Sequence, residues 1–150
     1  MTVLRPMAFM ELMTHKDFFP AVSTWHVMPK LMGEDRPVAW LAVEDLGAIA
    51  ARAFAEPERV VGAELKLAAD LRSIGQCREL WRVKTGRAPG SFPMPTWMFE
   101  RIAGSDLTTM WRWLRTAHLD VDPQVTRELL PTALNVGDWI NRQRSPAAGY

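Results

Sequence analysis

The stretch "PVAWLAVEDLGAIAARAFAEPE", residues 37–58, constrains the fold of this chain more than any other. Residues 38–43 are a short apolar run, the pattern of a strand covered on both faces. Glu44 and Asp45 follow, placing negative charge where a helix N-terminus favours it. Leu46, Ile49, Ala50, Ala53 and Phe54 then recur at i, i+3, i+4, i+7 and i+8, one apolar helical stripe, and Pro57 closes it. A doubly covered strand that leads at once into an amphipathic helix is the repeating unit of a parallel sheet. The chain therefore reads as α/β.

The flanking segments extend this pattern. Thr2, Val3 and Leu4 have the look of a buried strand, and Pro6 suits the first turn of a helix that would carry Phe9, Met10 and Met13 and fade near His15. Residues 17–37 contain Pro20, Pro29, Gly33 and Pro37 and read as irregular, with a short extended piece over residues 23–28. Residues 64–68 alternate Leu65 and Leu67 against Glu64 and Lys66, a second strand. Ser73 with Gln76 resembles a capping box opening a helix that turns Ile74, Cys77, Leu80 and Trp81 inward and ends at Gly86. The proline-bounded connector "RAPGSFPMP" has room for a short third strand. Beyond it the character turns helical: residues 97–103, then 106–117 with Leu107, Met110, Trp111, Leu114 and Ala117 on one face, then 123–130, then a last helix capped by Asn135 that carries Val136, Trp139 and Ile140. The tail "RSPAAGY" reads as frayed.

Composition narrows the function classes. A length of 150 residues suits one domain, and a formal charge of +1 gives no electrostatic case for nucleic acid or an anionic membrane as partner. The single cysteine, Cys77, cannot form an internal disulfide. The first residues lack the charged start and unbroken apolar run of a secretory signal, and no run is long enough to span a membrane. These features point to a soluble, cytoplasmic protein.

Few residues carry recognisable chemistry. The nine glycines contain no G-x-x-G-x-x-G or G-x-G-x-x-G set, and Gly86 and Gly90 flank Pro89, so the chain offers no cradle for a diphosphate. The only tyrosine is Tyr150, which leaves no candidate for a Tyr-x-x-x-Lys catalytic pair. Glu11 and His15 share a helical face at i, i+4, but His26, His118 and Cys77 add no third ligand at metal spacing, so a solvated pair is the better reading. Cys77 falls on an apolar stripe and reads as a structural thiol. "WRWLR" interleaves aromatics with arginines as a nucleic-acid surface would, yet it fits an ordinary amphipathic helix better. Met94, Trp97, Met98, Phe99, Met110 and Trp113 form the one set suggesting a cleft for a small apolar ligand, against the alternative of helix-to-helix packing.

Taken in order, "TVLRPMAFMELM", "VAWLAVEDLGAIAARAFAEPERVVGAELKLAAD", the helix to "TGRAP" and "NVGDWI" resemble the C-terminal half of NmrA-like proteins, atypical short-chain dehydrogenase/reductase relatives. Leu4-Arg5-Pro6 matches that family's strand ending in "lRP", Phe9 its helix aromatic, and Asp45-Leu46-Gly47 the "DLG" start of its next helix. The resemblance implies the C-terminal part of a Rossmann-like parallel sheet, about three short strands with their helices over residues 1–93. A helical, substrate-side portion would follow over residues 94–150. The dinucleotide-binding N-terminal half of the family has no counterpart in these residues. The resemblance further implies NAD(P) as cofactor, with Leu4, Arg5, Pro6 and Phe9 facing the cofactor and Met10, Met94, Trp97 and Met98 lining a substrate pocket. It leaves two functions open: an oxidoreductase-related fragment not catalytically competent alone, or a non-enzymatic redox-sensing or protein-interaction module. A sheet cut in this way would leave Thr2, Val3 and Leu4 with unpaired backbone groups and an uncovered apolar face, so the chain is expected either to associate, with a second copy or a separate N-terminal half, or to be marginally stable.

Overall fold

The computed structural model describes residues 1–14, 23–90 and 93–144. His15, Pro20 and the tail with Tyr150 lie outside the described residues. Among the described residues, five short strands and seven α-helices follow one another: β1 (Val3–Pro6), β2 (Ala8–Phe9), α1 (Met28–Met32), β3 (Pro37–Leu41), α2 (Val43–Ala55), β4 (Glu64–Leu67), β5 (Asp70–Ser73), α3 (Ile74–Thr85), α4 (Thr96–Ala103), α5 (Ser105–Leu114), α6 (Pro123–Leu129) and α7 (Val136–Arg144). The strands pair as β1-β4 and as β2-β3-β5. β1 runs parallel to β4 with Leu4 opposite Leu65, and β2 runs parallel to β3 with Phe9 opposite Leu41. The expected α/β architecture with a small parallel sheet is present.

Two compact units share the chain in an interleaved order. The first comprises Met1–Glu11, Ala39–Leu71 and Asp120–Tyr150; the second comprises Leu12–Val38 and Arg72–Leu119. In the first unit, Leu41, Ile49, Leu67, Ala69 and Leu130 form the buried cluster, with Leu4, Leu46 and Leu65 packed against it. Buried polar groups there are satisfied internally: the Ala68 N–H donates to the Thr126 hydroxyl at 2.9 Å, and Arg127 donates to the Ala69 carbonyl at 3.1 Å. In the second unit, Phe99 stacks on Trp111 with ring centroids 5.4 Å apart, and Trp25 meets Trp81 edge-on at 5.7 Å. The Arg78 guanidinium ties Glu34 to the Trp25 carbonyl, and Arg36 reaches the Leu114 and Ala117 carbonyls near the end of α5.

Several expectations need correction. No helix begins at Pro6: residues 3–9 stay extended, and Met10–Met13 forms a single 3-10 turn. Backbone pairing decides this, because Pro6 is held opposite Leu67 and the next two strand residues opposite Trp40 and Leu41. The piece at 23–28 is not extended but a π-helical turn, Ser23–Val27, that leads into α1, where Pro29 sits in the first turn and needs no N–H partner. Among the described residues of the 87–95 connector no strand forms, whereas β5 appears where none was expected. The Ser73–Gln76 capping box and the left-handed Gly86 at the end of α3 stand as read.

Candidate functional site

In open parallel sheets, ligands bind beyond the carboxyl ends of the strands. Here that rim lies in the first unit, where β2 ends at Phe9 and β3 at Leu41. Parallel pairing puts Phe9 opposite Leu41, so Met10 and Glu11 continue alongside Ala42 and Val43, whereas Pro6 lies opposite Leu67 of β4. Leu4 is half-buried against the core cluster, and Arg5 is exposed and paired with Glu64 at 3.0 Å. Pro6 and Phe9 are half-buried, whereas Met10 is fully buried. Met94, Trp97 and Met98 belong to the second unit; Met94 and Met98 are half-buried, and Trp97 is 68% exposed. From the wider apolar set, Phe99 is spent on Trp111, while Met110 and Trp113 point outward.

Glu11 has a role its sequence spacing did not reveal. Both of its carboxylate oxygens accept the Val43 N–H, at 3.1 and 3.2 Å, so it caps the N-terminus of α2 from 32 residues away. Asp45, in the first turn of α2, is buried and accepts the Leu134 N–H at 2.8 Å. Burial raises its pKa above the usual carboxylate value, the Leu134 N–H partly offsets this, and nearby Glu44 adds to the rise. Asp70 accepts the Val136 N–H at 3.1 Å at the start of α7. Asp45 and Asp70 thus fasten one turn between α6 and α7. Neither interaction is local in sequence, so no spacing rule announces them.

A dinucleotide diphosphate needs free amides and close backbone approach where a strand meets a helix. At the β3–α2 junction the first amide of the helix is already held by Glu11, and Ala42 stands where a glycine would be wanted. At the β5–α3 junction the Ser73 hydroxyl and the Gln76 side chain satisfy the amides reciprocally. Among the described residues, the glycines with positive φ, Gly33, Gly62, Gly86 and Gly104, lie at neither junction. Among the described residues, neither of these two junctions fits a diphosphate. Among the described residues no cluster of three His, Cys, Asp or Glu is placed to hold a metal ion, and no helix is long and apolar enough to cross a membrane.

Solved structures share this fold. NmrA, a negative transcriptional regulator, in complex with NADP superposes with a TM-score of 0.61 at 13% identity over 93% of this chain and 51% of its own. The fold is that of half an NmrA-like chain. NmrA in complex with NAD gives a TM-score of 0.60 at 14% identity, with the same coverage. A nucleoside-diphosphate-sugar epimerase from Staphylococcus aureus gives 0.65 at 12% identity over 92% of this chain and 50% of its own. Identities this low establish the fold alone, and the chain spans about half the length of each structure it matches. No protein-family model matches the sequence, and no curated protein matches it either.

Proposed function

We propose that this chain is the substrate-side, C-terminal portion of an NAD(P)-binding, NmrA-like Rossmann protein, related to oxidoreductases and not catalytically competent by itself. The observation that carries this reading is the rim where β2 and β3 end in parallel, in a fold shared with NmrA, which has been solved with NADP and with NAD. In this reading Leu4, Arg5, Pro6 and Phe9 lie toward the nicotinamide end of the cofactor. Met10 stands behind them in the wall. Met94, Trp97 and Met98 give residues 94–150 their substrate-side apolar character. The diphosphate is gripped by residues other than these.

Nicotinamide mononucleotide isolates the relevant end of the cofactor. At millimolar concentration it is expected to shift the NMR resonances of Leu4 and Phe9 in the 150-residue chain. Shifts confined to other residues, or none, would remove the support for this assignment.

A second reading, a non-enzymatic regulatory or protein-interaction module, draws on two observations. NmrA is itself a negative transcriptional regulator. On α4 and α5, Trp97, Ile102 and Trp113 are each more than 60% exposed.

A further inference from the structure

Of the seven tryptophans, the two that stand exposed, Trp97 and Trp113, lie on the paired helices α4 and α5 of the second unit. Inside the pair, Phe99 stacks on Trp111; at its surface, Arg112 holds Glu100 at 3.1 Å. Trp97 is one turn from Glu100 and Arg101 along α4, and Trp113 adjoins Arg112 on α5, so an exposed indole accompanies each member of the ion pair. Met110, one turn before Trp113, is exposed as well. The outward face of a surface helix ordinarily carries charged and polar residues. Tryptophan, methionine and arginine gathered there are instead the composition of an interface centre.

The charge of this face selects its partner. The formal charge of +1 for the whole chain conceals eight Lys and Arg against three Asp and Glu in residues 72–119. Glu79 and Glu100 are held by Arg82 and Arg112, and Asp106 sits in the first turn of α5, where the helix dipole favours it. Arg101, on the Trp97 side of α4, and Arg115, one turn beyond Arg112, are exposed and have no ion pair among the described residues. We infer, building on the second reading above, that the α4–α5 face docks an acidic peptide segment of another protein, with apolar residues set between its carboxylates. The apolar residues cover Trp97, Met110 and Trp113, and the carboxylates meet Arg101 and Arg115. Other occupants fit less well. An anionic bilayer repels Glu100 and Asp106, and Ile102, the remaining large apolar residue exposed on the pair, lies about 140° around α4 from Trp97, off any plane shared with it. Single-stranded nucleic acid needs cations tracking its backbone and flat faces for its bases, and Met110 supplies neither.

A displayed library of random peptides, selected against the 150-residue chain, tests this. Enriched peptides should be rich in Asp and Glu with apolar residues between them, and added salt should weaken their binding. A synthetic copy of the most enriched peptide should bind the Arg101→Glu/Arg115→Glu chain about tenfold or more weakly. The Trp97→Ala/Trp113→Ala chain should lose the peptide too and keep its helical circular dichroism, since both indoles are exposed. Charge reversal leaves every apolar residue in place, so the test stands even where the double alanine chain folds poorly. Enrichment of neutral or basic peptides overturns the acidic partner and leaves the second reading in place; enrichment of none overturns both. Binding that survives in both variants overturns the inference. So does capture of phosphatidylglycerol vesicles or oligothymidylate through the same tryptophans in place of any peptide, or self-association of the chain that Arg101→Glu/Arg115→Glu abolishes.

Discussion

Asp45 is a carboxylate that the fold buries for the sake of one hydrogen bond. Its oxygen accepts the Leu134 N–H, and burial raises its pKa above the ordinary aspartate value of about 3.8. A folded-state pKa above the unfolded one means that the folded protein binds the proton more tightly. The stability linked to this group is therefore fully present below pH 3.8 and is lost as pH rises through the elevated folded value. Asp45→Asn keeps an acceptor for Leu134 and removes the buried charge, so thermal melts at neutral pH should show no loss of stability and a flatter acid limb. Asp45→Ala leaves the Leu134 amide unpaired and should cost about 1–3 kcal/mol. A larger loss for the asparagine variant than for the alanine one would refute this assignment of the penalty to charge.

At the scale of elements, Glu11 ties the turn after β2 to the start of α2. Glu11→Ala should lower stability by about 0.5–2 kcal/mol, read as a reduced denaturation midpoint with an unchanged slope. An unaffected midpoint would show that solvent caps α2 equally well. The sequence made local features legible. Residues 38–43, the Ser73–Gln76 box, Gly86 and the Asn135 cap all act within a few residues of themselves, so spacing alone exposes them. Features built by tertiary pairing stayed hidden. Phe9 and Met10 carry helical spacing but are claimed by a strand and a 3-10 turn. β5 reads inside out, with Asp70 and Ser73 buried and Leu71 exposed, because Val136 supplies the partner that makes a buried aspartate tolerable. Phe54 shares the spacing of the inward stripe of α2, yet it lies about 140° around the helix from Ile49 and is 88% exposed.

Across the whole molecule, the residues expected to face a cofactor, Leu4, Arg5, Pro6 and Phe9, all lie in the first unit, whereas those expected to line a substrate pocket divide, Met10 in the first unit and Met94, Trp97 and Met98 in the second. The strand-end rim was legible because Thr2-Val3-Leu4 and residues 38–43 each mark a strand by their apolar residues. The occupation of the α2 N-terminus by Glu11 was not, since it depends on two segments brought together by the parallel pairing of β2 and β3. That occupation, with the capping box on α3, underlies the central claim that the chain carries the fold of half an NmrA-like protein without its own grip on a diphosphate. Titration of the 150-residue chain with NADPH, followed by quenching of its seven tryptophans, tests the claim directly. The account predicts no saturable quenching in the micromolar range; saturable micromolar quenching by the chain alone would contradict it.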